Sequence, residues 1–382
     1  MKPNEIKEES VKLHAKLRGK IRVEPTVEIN NAHDLSLVYT PGVGEVSRRI
    51  AEDKTLVDTL TWRKNTVAII SDGTAVLGLG DIGPEAAIPV LEGKSAIFKR
   101  FANIDAIPLV LNTKDPKEII ETVIRISPSF GAIQLEDISA PRCFEIEREL
   151  IKKLDIPVLH DDQHGTAIVV LAGLLNALKI AGKNIKEISV RLNGAGAAGV
   201  AVADLLISAG VPDLIMFDRT GAIYDGRENL NTEKERLAKK TNQQKRKGSL
   251  AELASGSDVL IGVSAPCAFT IPMIKSMNDK SIVFALANPV PEILPDEAKT
   301  AGVLVVATGR SDFPNQVNNA LCYPGLFRGM LDSGVTQVTE EIKIRAAMAI
   351  ANVVGSPTAE NCIPSIFSEN LHSVVAKSVQ SE

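Results

Sequence analysis

The sequence predicts an α/β protein made of two parts, an N-terminal α/β domain and a Rossmann-type dinucleotide-binding domain with a parallel sheet. Short apolar runs alternate with helix-like runs from residue 67 to residue 159, and a second alternation begins after residue 179. In the second half, a glycine-rich loop at 194–199 lies between a predicted strand and a predicted helix. The 382 residues suffice for two domains of ordinary size, which we expect at 1–160 and 161–382.

The first alternation predicts a small parallel sheet. Its strands are expected at 67–70, 107–111, 132–135 and 156–159, after a charged helix at 5–20. Asp115 followed by Pro116 is the pattern of a helix N-cap and a first helical residue. The run 141–153 has the spacing of a crossover helix, so the strands on either side of it should be parallel neighbours.

The second alternation predicts the Rossmann sheet. Its strands are expected at 188–192, 214–217, 259–261, 282–286 and 303–306, after a buried helix at 165–179. The polar stretch 225–247 is interpreted as an exposed loop or surface helix with a solvated basic cluster, and 340–354 as a helix near the end of the chain.

Composition excludes several classes of partner. The net charge of −4 and the aromatic content of 4% give no reason to expect nucleic acid or an acidic membrane. The four cysteines lack metal-ligand spacing, which is typical of thiols in a reducing compartment. The N-terminus is not a signal peptide, and the apolar run 167–178 is too short to cross a bilayer. We therefore expect a cytoplasmic protein that acts on a small molecule.

Two acidic pairs follow neighbouring predicted strands. Glu136 and Asp137 come after the strand 132–135, and Asp161 and Asp162 come after 156–159. The carboxyl ends of parallel strands meet at one edge of a sheet, where carboxylates repel one another unless a cation lies among them. Either pair alone is equally well explained as a turn or a helix N-cap. The two pairs, one helix apart, favour a site for a hard cation, Mg²⁺ or Mn²⁺.

The loop 194–199 predicts the dinucleotide site. Gly194 permits a tight turn, Gly196 lets the pyrophosphate approach the backbone, and Gly199 lets the helix pack closely on the strand. Ala195, Ala197 and Ala198 lie between these glycines, and we expect them to contact the cofactor as well. Asp218 ends the next strand and favours NAD by holding the ribose hydroxyls, whereas the adjacent Arg219 leaves NADP as the alternative.

A second G-x-G-x-x-G match occurs at 78–83, where it is a decoy. Pro84 and Glu85 follow it, and Asp81 within it would face the phosphates. We interpret it as a glycine-rich turn that lines the cleft between the domains.

A nicotinamide beside a hard divalent cation suggests oxidation of a hydroxy acid, which needs a base and an acid. Tyr39, on a Pro-Gly turn, and Lys94 are the candidates. Taken alone, Tyr39 is more simply explained as a loop tyrosine, and Lys94 as a surface lysine.

A set of motifs in a fixed order carries more weight than either residue. The chain resembles the malic enzymes, in their short prokaryotic form, from about residue 20 to about residue 330. The resemblance rests on Tyr39-Thr-Pro-Gly-Val, the 78–83 loop, Glu92-Gly-Lys-Ser-Ala, Leu135-Glu-Asp-Ile, Asp161-Asp-Gln-His-Gly-Thr-Ala, the 194–199 loop and Asn288-Pro289.

This resemblance implies oxidative decarboxylation of (S)-malate to pyruvate and CO₂ with NAD(P)⁺, decarboxylation of oxaloacetate, and a homodimer or higher oligomer. It implies Glu136, Asp137 and Asp162 as metal ligands, Lys94 as the base, with a pKa lowered by burial and the cation, and Tyr39 as the acid. Asp161 would handle protons beside the metal. The nicotinamide side and the substrate carboxylate would fall to Asn288, Asn318 and Asn319.

One departure from the family concerns the substrate. Long-form malic enzymes carry a carboxylate-binding arginine just before the 78–83 loop, where this chain has Ala75 and Val76. Another 2-hydroxy diacid therefore stays open as the substrate. A more distant alternative is a non-catalytic NAD-binding regulator, which would not need the candidate ligands and catalytic residues together (Glu136, Asp137, Asp162, Lys94 and Tyr39). Another is a metal-dependent oxaloacetate decarboxylase without redox chemistry, which the intact 194–199 loop disfavours.

Overall fold

The computed structural model describes residues 3–76 and 78–380, which form two β-sheets with helices around them. The first sheet has the order β2-β1-β3-β4 and is parallel throughout. Its strands are β1 (Thr66–Ser71), β2 (Asp105–Val110), β3 (Ala132–Leu135) and β4 (Val158–His160). The four predicted strands are confirmed, with ends displaced by at most two residues.

Seven helices precede or surround this sheet: α1 (Pro3–Leu17), α2 (Ala32–Val38), α3 (Gly42–Glu52), α4 (Val57–Leu60), α5 (Pro84–Ala102), α6 (Pro116–Ile126) and α7 (Arg142–Lys153). Helix α6 begins as predicted, because the Asp115 side chain accepts a hydrogen bond from the Lys117 amide at 2.8 Å. Helix α7 connects β3 to β4, and Leu135 lies opposite His160 in the parallel register. The residues after these two strands therefore emerge side by side.

Helix α8 (Asp161–Ala181) follows β4 directly and separates the two sheets along the chain. The sequence predicted a start at Gly165, which is wrong: Asp161 and Asp162 lie within the first turn. The helix has 21 residues, so it is long and apolar enough to cross a membrane by length and composition, contrary to the expectation from its apolar run. In the structure, 72% of its most apolar window is buried inside the protein.

The second sheet has the order β10-β9-β8-β5-β6-β7, and β7 alone runs antiparallel to its neighbour. Its strands are β5 (Ser189–Asn193), β6 (Asp213–Asp218), β7 (Gly221–Ala222), β8 (Val259–Gly262), β9 (Ile282–Ala285) and β10 (Val305–Thr308). The five predicted strands are confirmed. The short β7, at the sheet edge, has no counterpart in the sequence pattern.

Eight helices follow α8: α9 (Ala197–Ser208), α10 (Thr232–Ala238), α11 (Leu250–Leu253), α12 (Ile271–Lys275), α13 (Pro295–Thr300), α14 (Tyr323–Ser333), α15 (Glu340–Val353) and α16 (Leu371–Gln380). Helix α14 packs against α5 of the first half: the Phe98 ring lies 4.8 Å from that of Tyr323 and 5.3 Å from that of Phe327. These edge-on aromatic contacts join the two halves into one core.

Candidate active site

Three acidic side chains converge where β3 ends and α8 begins. Glu136, Asp137 and Asp162 each offer a carboxylate oxygen, and these oxygens lie within 4.8 Å of one another. The Asp137 backbone has φ of +53°, a left-handed conformation that aspartate tolerates better than most residues, and its amide donates to Asp162 Oδ2 at 2.8 Å. Gln134 Nε2 donates to Glu136 at 2.8 Å. Three hard oxygen donors at this spacing suit Mg²⁺ or Mn²⁺.

Lys94 lies beside this group of carboxylates. Its ammonium donates to Asp161 Oδ2 and lies 3.0 Å from Glu136 Oε1, with a side chain only 10% exposed. It also lies over the ring of Tyr323, 4.6 Å from the centroid. Asp161 is fully buried and pairs with Lys94, while the other three acids form the cluster. Asp161 therefore stands outside the group of three carboxylates, and it shares Lys94 with Glu136.

The charges in this site strongly perturb proton binding. Burial disfavours the ammonium, but the carboxylates of Asp161 and Glu136 raise the pKa of Lys94 well above its ordinary value. Burial likewise raises the pKa of Glu136 and of Asp161, against the opposing effect of Lys94. Burial favours a lower pKa of Lys94, as expected, but the two adjacent carboxylates outweigh it. The lowering by burial together with a cation stays a prediction.

Gly165 makes room for this arrangement. A Cβ atom there would lie 2.0 Å from Asp161 Oδ1 and 3.1 Å from the Cβ of Asn319. Asn319 therefore adjoins the first turn of α8. The Asn318 side chain caps the short helix Asn319–Leu321 by accepting from the Ala320 amide at 2.9 Å.

The 78–83 loop faces the second half of the chain. A Cβ on Gly78 would lie 2.4 Å from the carbonyl oxygen of Asn288, so the two backbones are in contact. Asn288 is exposed, and Arg310 Nη1 donates to the carbonyl of the adjacent Pro289 at 3.2 Å. The loop thus contacts the second half of the chain, and its place in a cleft between the domains stays a prediction. It does not follow β1 directly, which ends at Ser71.

Tyr39 lies apart from these groups within one chain. It follows α2, and 66% of the residue is exposed. Among the described residues, no hydrogen bond or ring contact links Tyr39 to Lys94 or to the three carboxylates. Tyr323, which the sequence analysis did not assign a role, is the tyrosine in contact with Lys94.

The 194–199 loop borders a cavity of about 1210 Å³ in the second half of the chain. Gly194 has φ of +122°, and a Cβ there would lie 2.6 Å from the Val263 carbonyl. A Cβ on Gly199 would lie 2.0 Å from the carbonyl oxygen of Gly194, so the helix packs closely on the loop. A Cβ on Gly196 would have no neighbour within 4 Å, which leaves that side of the loop open. This is the geometry that brings a pyrophosphate to the N-terminus of α9.

Asp218 ends β6 at the other side of this cavity. Its carboxylate accepts from Arg227 at 3.0 Å and 2.5 Å, from Lys234 at 2.6 Å and from the Thr220 amide at 3.0 Å. Partial burial opposes its ionisation, but these bonds lower the pKa of Asp218 below its ordinary value. Arg219 is exposed and lines the cavity. Arg227 and Lys234 belong to the stretch 225–247, which the sequence predicted to be an exposed loop or surface helix, with only the cluster 245–247 assigned to a solvated face.

Comparisons with known proteins agree with this geometry. The family model described as "Malic enzyme, N-terminal domain" matches residues 18–151, and that described as "Malic enzyme, NAD binding domain" matches residues 163–380. The chain belongs to the malic enzyme family. It is therefore an oxidoreductase that decarboxylates, of the short prokaryotic form.

Individual malic enzymes resemble it over most of their length. The bifunctional malic/malolactic enzyme of Bacillus subtilis is 52% identical over 98% of this chain and 92% of its own length. The NAD-dependent malic enzyme of Geobacillus stearothermophilus is 53% identical over 94% and 76%. The crystal structure of the NAD-dependent malic enzyme of Thermotoga maritima has a TM-score of 0.94 at 45% identity, covering 97% of this chain and 98% of that one.

Proposed function

We propose that this malic enzyme catalyses the oxidative decarboxylation of (S)-malate to pyruvate and CO₂, with Mg²⁺ or Mn²⁺ held by Glu136, Asp137 and Asp162. The observation that carries the proposal is the position of Lys94, whose ammonium lies between Asp161 and Glu136 beside the acidic group. Oxidation of a chelated 2-hydroxy acid requires a base beside the cation site, and the neutral amine of Lys94 would be that base.

The residues of the chain divide the proton transfers among them. Lys94 would act as its neutral amine, after its ammonium has passed a proton along its hydrogen bond to Asp161. It would then take the proton of the C2 hydroxyl while the nicotinamide accepts the hydride of C2. A divalent cation held by Glu136, Asp137 and Asp162 would supply Lewis-acid chemistry and would offset the carboxylate charge around Lys94. After CO₂ leaves, Tyr39 returns a proton to C3. Oxaloacetate supplied from solution would join the reaction after the oxidation step and would be decarboxylated at the same site.

The substrate and the nicotinamide would be held from the opposite wall of the cleft. We assign this role to Asn288, Asn318 and Asn319. Asn319 adjoins Asp161, and Asn288 adjoins the 78–83 loop. Ala75 and Val76 occupy the stretch that holds the arginine in long-form relatives. We therefore assign the substrate carboxylate to Arg310, whose guanidinium donates to the carbonyl of Pro289, next to Asn288. It is paired with Asp312, so this contact would require that pair to open.

The cofactor is proposed to be NAD, with NADP also accepted. Arg227 and Lys234 offset the charge of Asp218, which weakens the repulsion that an isolated carboxylate would exert on a 2′-phosphate. Relatives of both kinds exist: the Geobacillus enzyme is named NAD-dependent, and a Halomonas elongata enzyme, 47% identical over 91% of this chain and 82% of its own length, is named NADP-dependent.

We further propose a cytoplasmic homodimer in which Tyr39 serves the partner's site. Tyr39 is exposed, and the segment around it presents apolar side chains to solvent, among them Val23 (83% exposed) and Leu37 (61% exposed). Apolar exposure on this scale is typical of an interface between subunits. The four cysteines are free thiols, in keeping with a reducing compartment.

One assay tests the proposed function. Malate is supplied with NAD or NADP, with Mn²⁺ or with a chelator, while reduced nucleotide, pyruvate, CO₂ and lactate are measured. We expect pyruvate and reduced nucleotide in equal amounts, only with the metal. Lactate is included because the Bacillus relative is named malic/malolactic. Full activity in chelator would refute the metal, and reduction of nucleotide by tartrate but not by malate would refute the substrate.

A further inference from the structure

Glu147 is a buried carboxylate on α7 that takes no part in the chemistry proposed above. It is 5% exposed and accepts hydrogen bonds from the His160 amide at 2.7 Å and from Gln163 Nε2 at 3.1 Å. The Nε2 atom of His164 lies 3.0 Å from the same carboxylate. Its three partners come from the end of β4 and the first turn of α8.

These partners flank the two functional aspartates. His160 immediately precedes Asp161, and Gln163 immediately follows Asp162. From the neighbouring helix α7, Glu147 therefore holds the backbone amide of His160, just before Asp161, and the side chains of Gln163 and His164, just after Asp162. A buried carboxylate with three donors is held rigidly, because each donor would lose its partner if the helix start moved.

We propose that Glu147 is a positioning residue, which fixes the first turn of α8 so that Asp162 completes the metal site and Asp161 meets Lys94. The inference rests on the proposed metal site. Glu147 does not belong to the group of three carboxylates itself, so its effect on the metal passes through the position of Asp162. Residues that orient metal ligands typically change metal affinity by about 10- to 100-fold.

A purely structural role for Glu147 is the alternative. In that case its removal would lower the stability of the fold and leave metal affinity in the folded protein unchanged. The carboxylate borders a cavity of about 260 Å³ that Gln163 and His164 also line, so water can reach two of the three donors that the substitution would leave without an acceptor. A folded Glu147→Ala protein is therefore expected.

The test is Mn²⁺ binding without substrate, followed by electron paramagnetic resonance, in the native protein, Glu147→Ala, Glu147→Gln and the control Glu149→Gln. Glu149 lies on the same helix, 35% exposed, and pairs with Lys152. Loss of Mn²⁺ binding by the native protein would refute the proposed metal site rather than this inference.

We expect the Kd for Mn²⁺ to rise about 10- to 100-fold in Glu147→Ala, with the Kd for NAD unchanged. Glu147→Gln, which keeps an acceptor for the His160 amide, should show a smaller rise, and Glu149→Gln none. An Mn²⁺ Kd within twofold of native in Glu147→Ala, or equal losses of Mn²⁺ and NAD affinity, would overturn the proposal. If circular dichroism shows Glu147→Ala unfolded, native Mn²⁺ affinity in Glu147→Gln would overturn it.

Discussion

Lys94 on α5 and Asp161 at the start of α8 form a buried ion pair between positions 67 residues apart. The pair joins a helix of the first sheet to the helix that leads into the second. Since the same ammonium lies 3.0 Å from Glu136, it also contacts the carboxylate group proposed to hold the metal. Correct docking of α8 thus brings the proposed base, Asp161 and the proposed cation site together.

The first prediction concerns Lys94→Ala. Removal of the base should lower kcat for malate oxidation by about 10²- to 10⁴-fold. The matched control is Lys99→Ala, on the same helix, because Lys99 is exposed and pairs with Asp105 at 2.7 Å. Malate-dependent formation of reduced nucleotide measures both. Near-native turnover in Lys94→Ala would show that another group takes the proton.

The second prediction concerns Gly165→Ala. An added Cβ would overlap Asp161 Oδ1, so the carboxylate must move away from Lys94 while the helix stays intact. We expect a fall in kcat of at least about tenfold, with Tm nearly unchanged because alanine favours a helix over glycine. Gly355→Ala, where an added Cβ has no neighbour within 4 Å, is the control. Equal kcat values for the two variants would argue against the role of this ion pair.

The acidic pairs could be predicted from the sequence because each follows an apolar strand, and strand order in a parallel sheet is constrained. Side-chain contacts between residues far apart in the sequence could not be predicted in this way. A polar stretch that holds Arg227 has the same composition whether it is solvated or bound to Asp218. Glu147 gives a partial signal, as a charge on the apolar face of α7 among Phe144 and Leu150. That pattern indicates a buried partner but not which one.

The third prediction concerns cofactor choice. Arg227→Gln removes a cation from Asp218, whose carboxylate would then repel a 2′-phosphate more strongly. We expect the ratio of kcat/KM for NADP to that for NAD to fall by roughly tenfold, as loss of one charged hydrogen bond implies. Lys245→Gln serves as the control, since Lys245 is exposed and pairs with Asp225. An unchanged ratio would mean that Asp218 does not face the phosphate.

The fourth prediction concerns pH and His372. Burial lowers its pKa from 6.5 to about 4. Above pH 6.5 the ring is neutral in both the folded and the unfolded chain. Between pH 6.5 and pH 4 the unfolded chain binds a proton that the folded chain does not, so the free energy of unfolding decreases as pH falls.

At pH 5 this decrease should be no more than about 2 kcal/mol. His372→Phe, which can keep the ring contact with Phe101, should lose that part of the pH dependence. Urea unfolding at pH 7 and pH 5 measures it, with His33→Gln, an exposed histidine on α2, as the control. Identical pH dependence in His372→Phe and the native protein would show that His372 titrates normally.

The fifth prediction concerns Tyr39, which is 66% exposed. Tyr39→Phe alone should mainly slow protonation of enolpyruvate, whereas Lys94→Ala should lower malate oxidation itself, as predicted above. If Tyr39 serves the partner's site, mixing the two variants under conditions of subunit exchange should create heterodimers with one intact site. Malate turnover of the mixture should then exceed the sum of the separate variants.

The alternative is that both residues act in one chain, and it predicts the opposite result. Each site of a heterodimer would then lack either Tyr39 or Lys94, and mixing would restore nothing. Tyr323→Phe completes the comparison, because the Tyr323 ring contacts Lys94 within the same chain. If Tyr323→Phe slows enol protonation and Tyr39→Phe does not, the acid is Tyr323, and the exposed position of Tyr39 needs no second subunit to explain it.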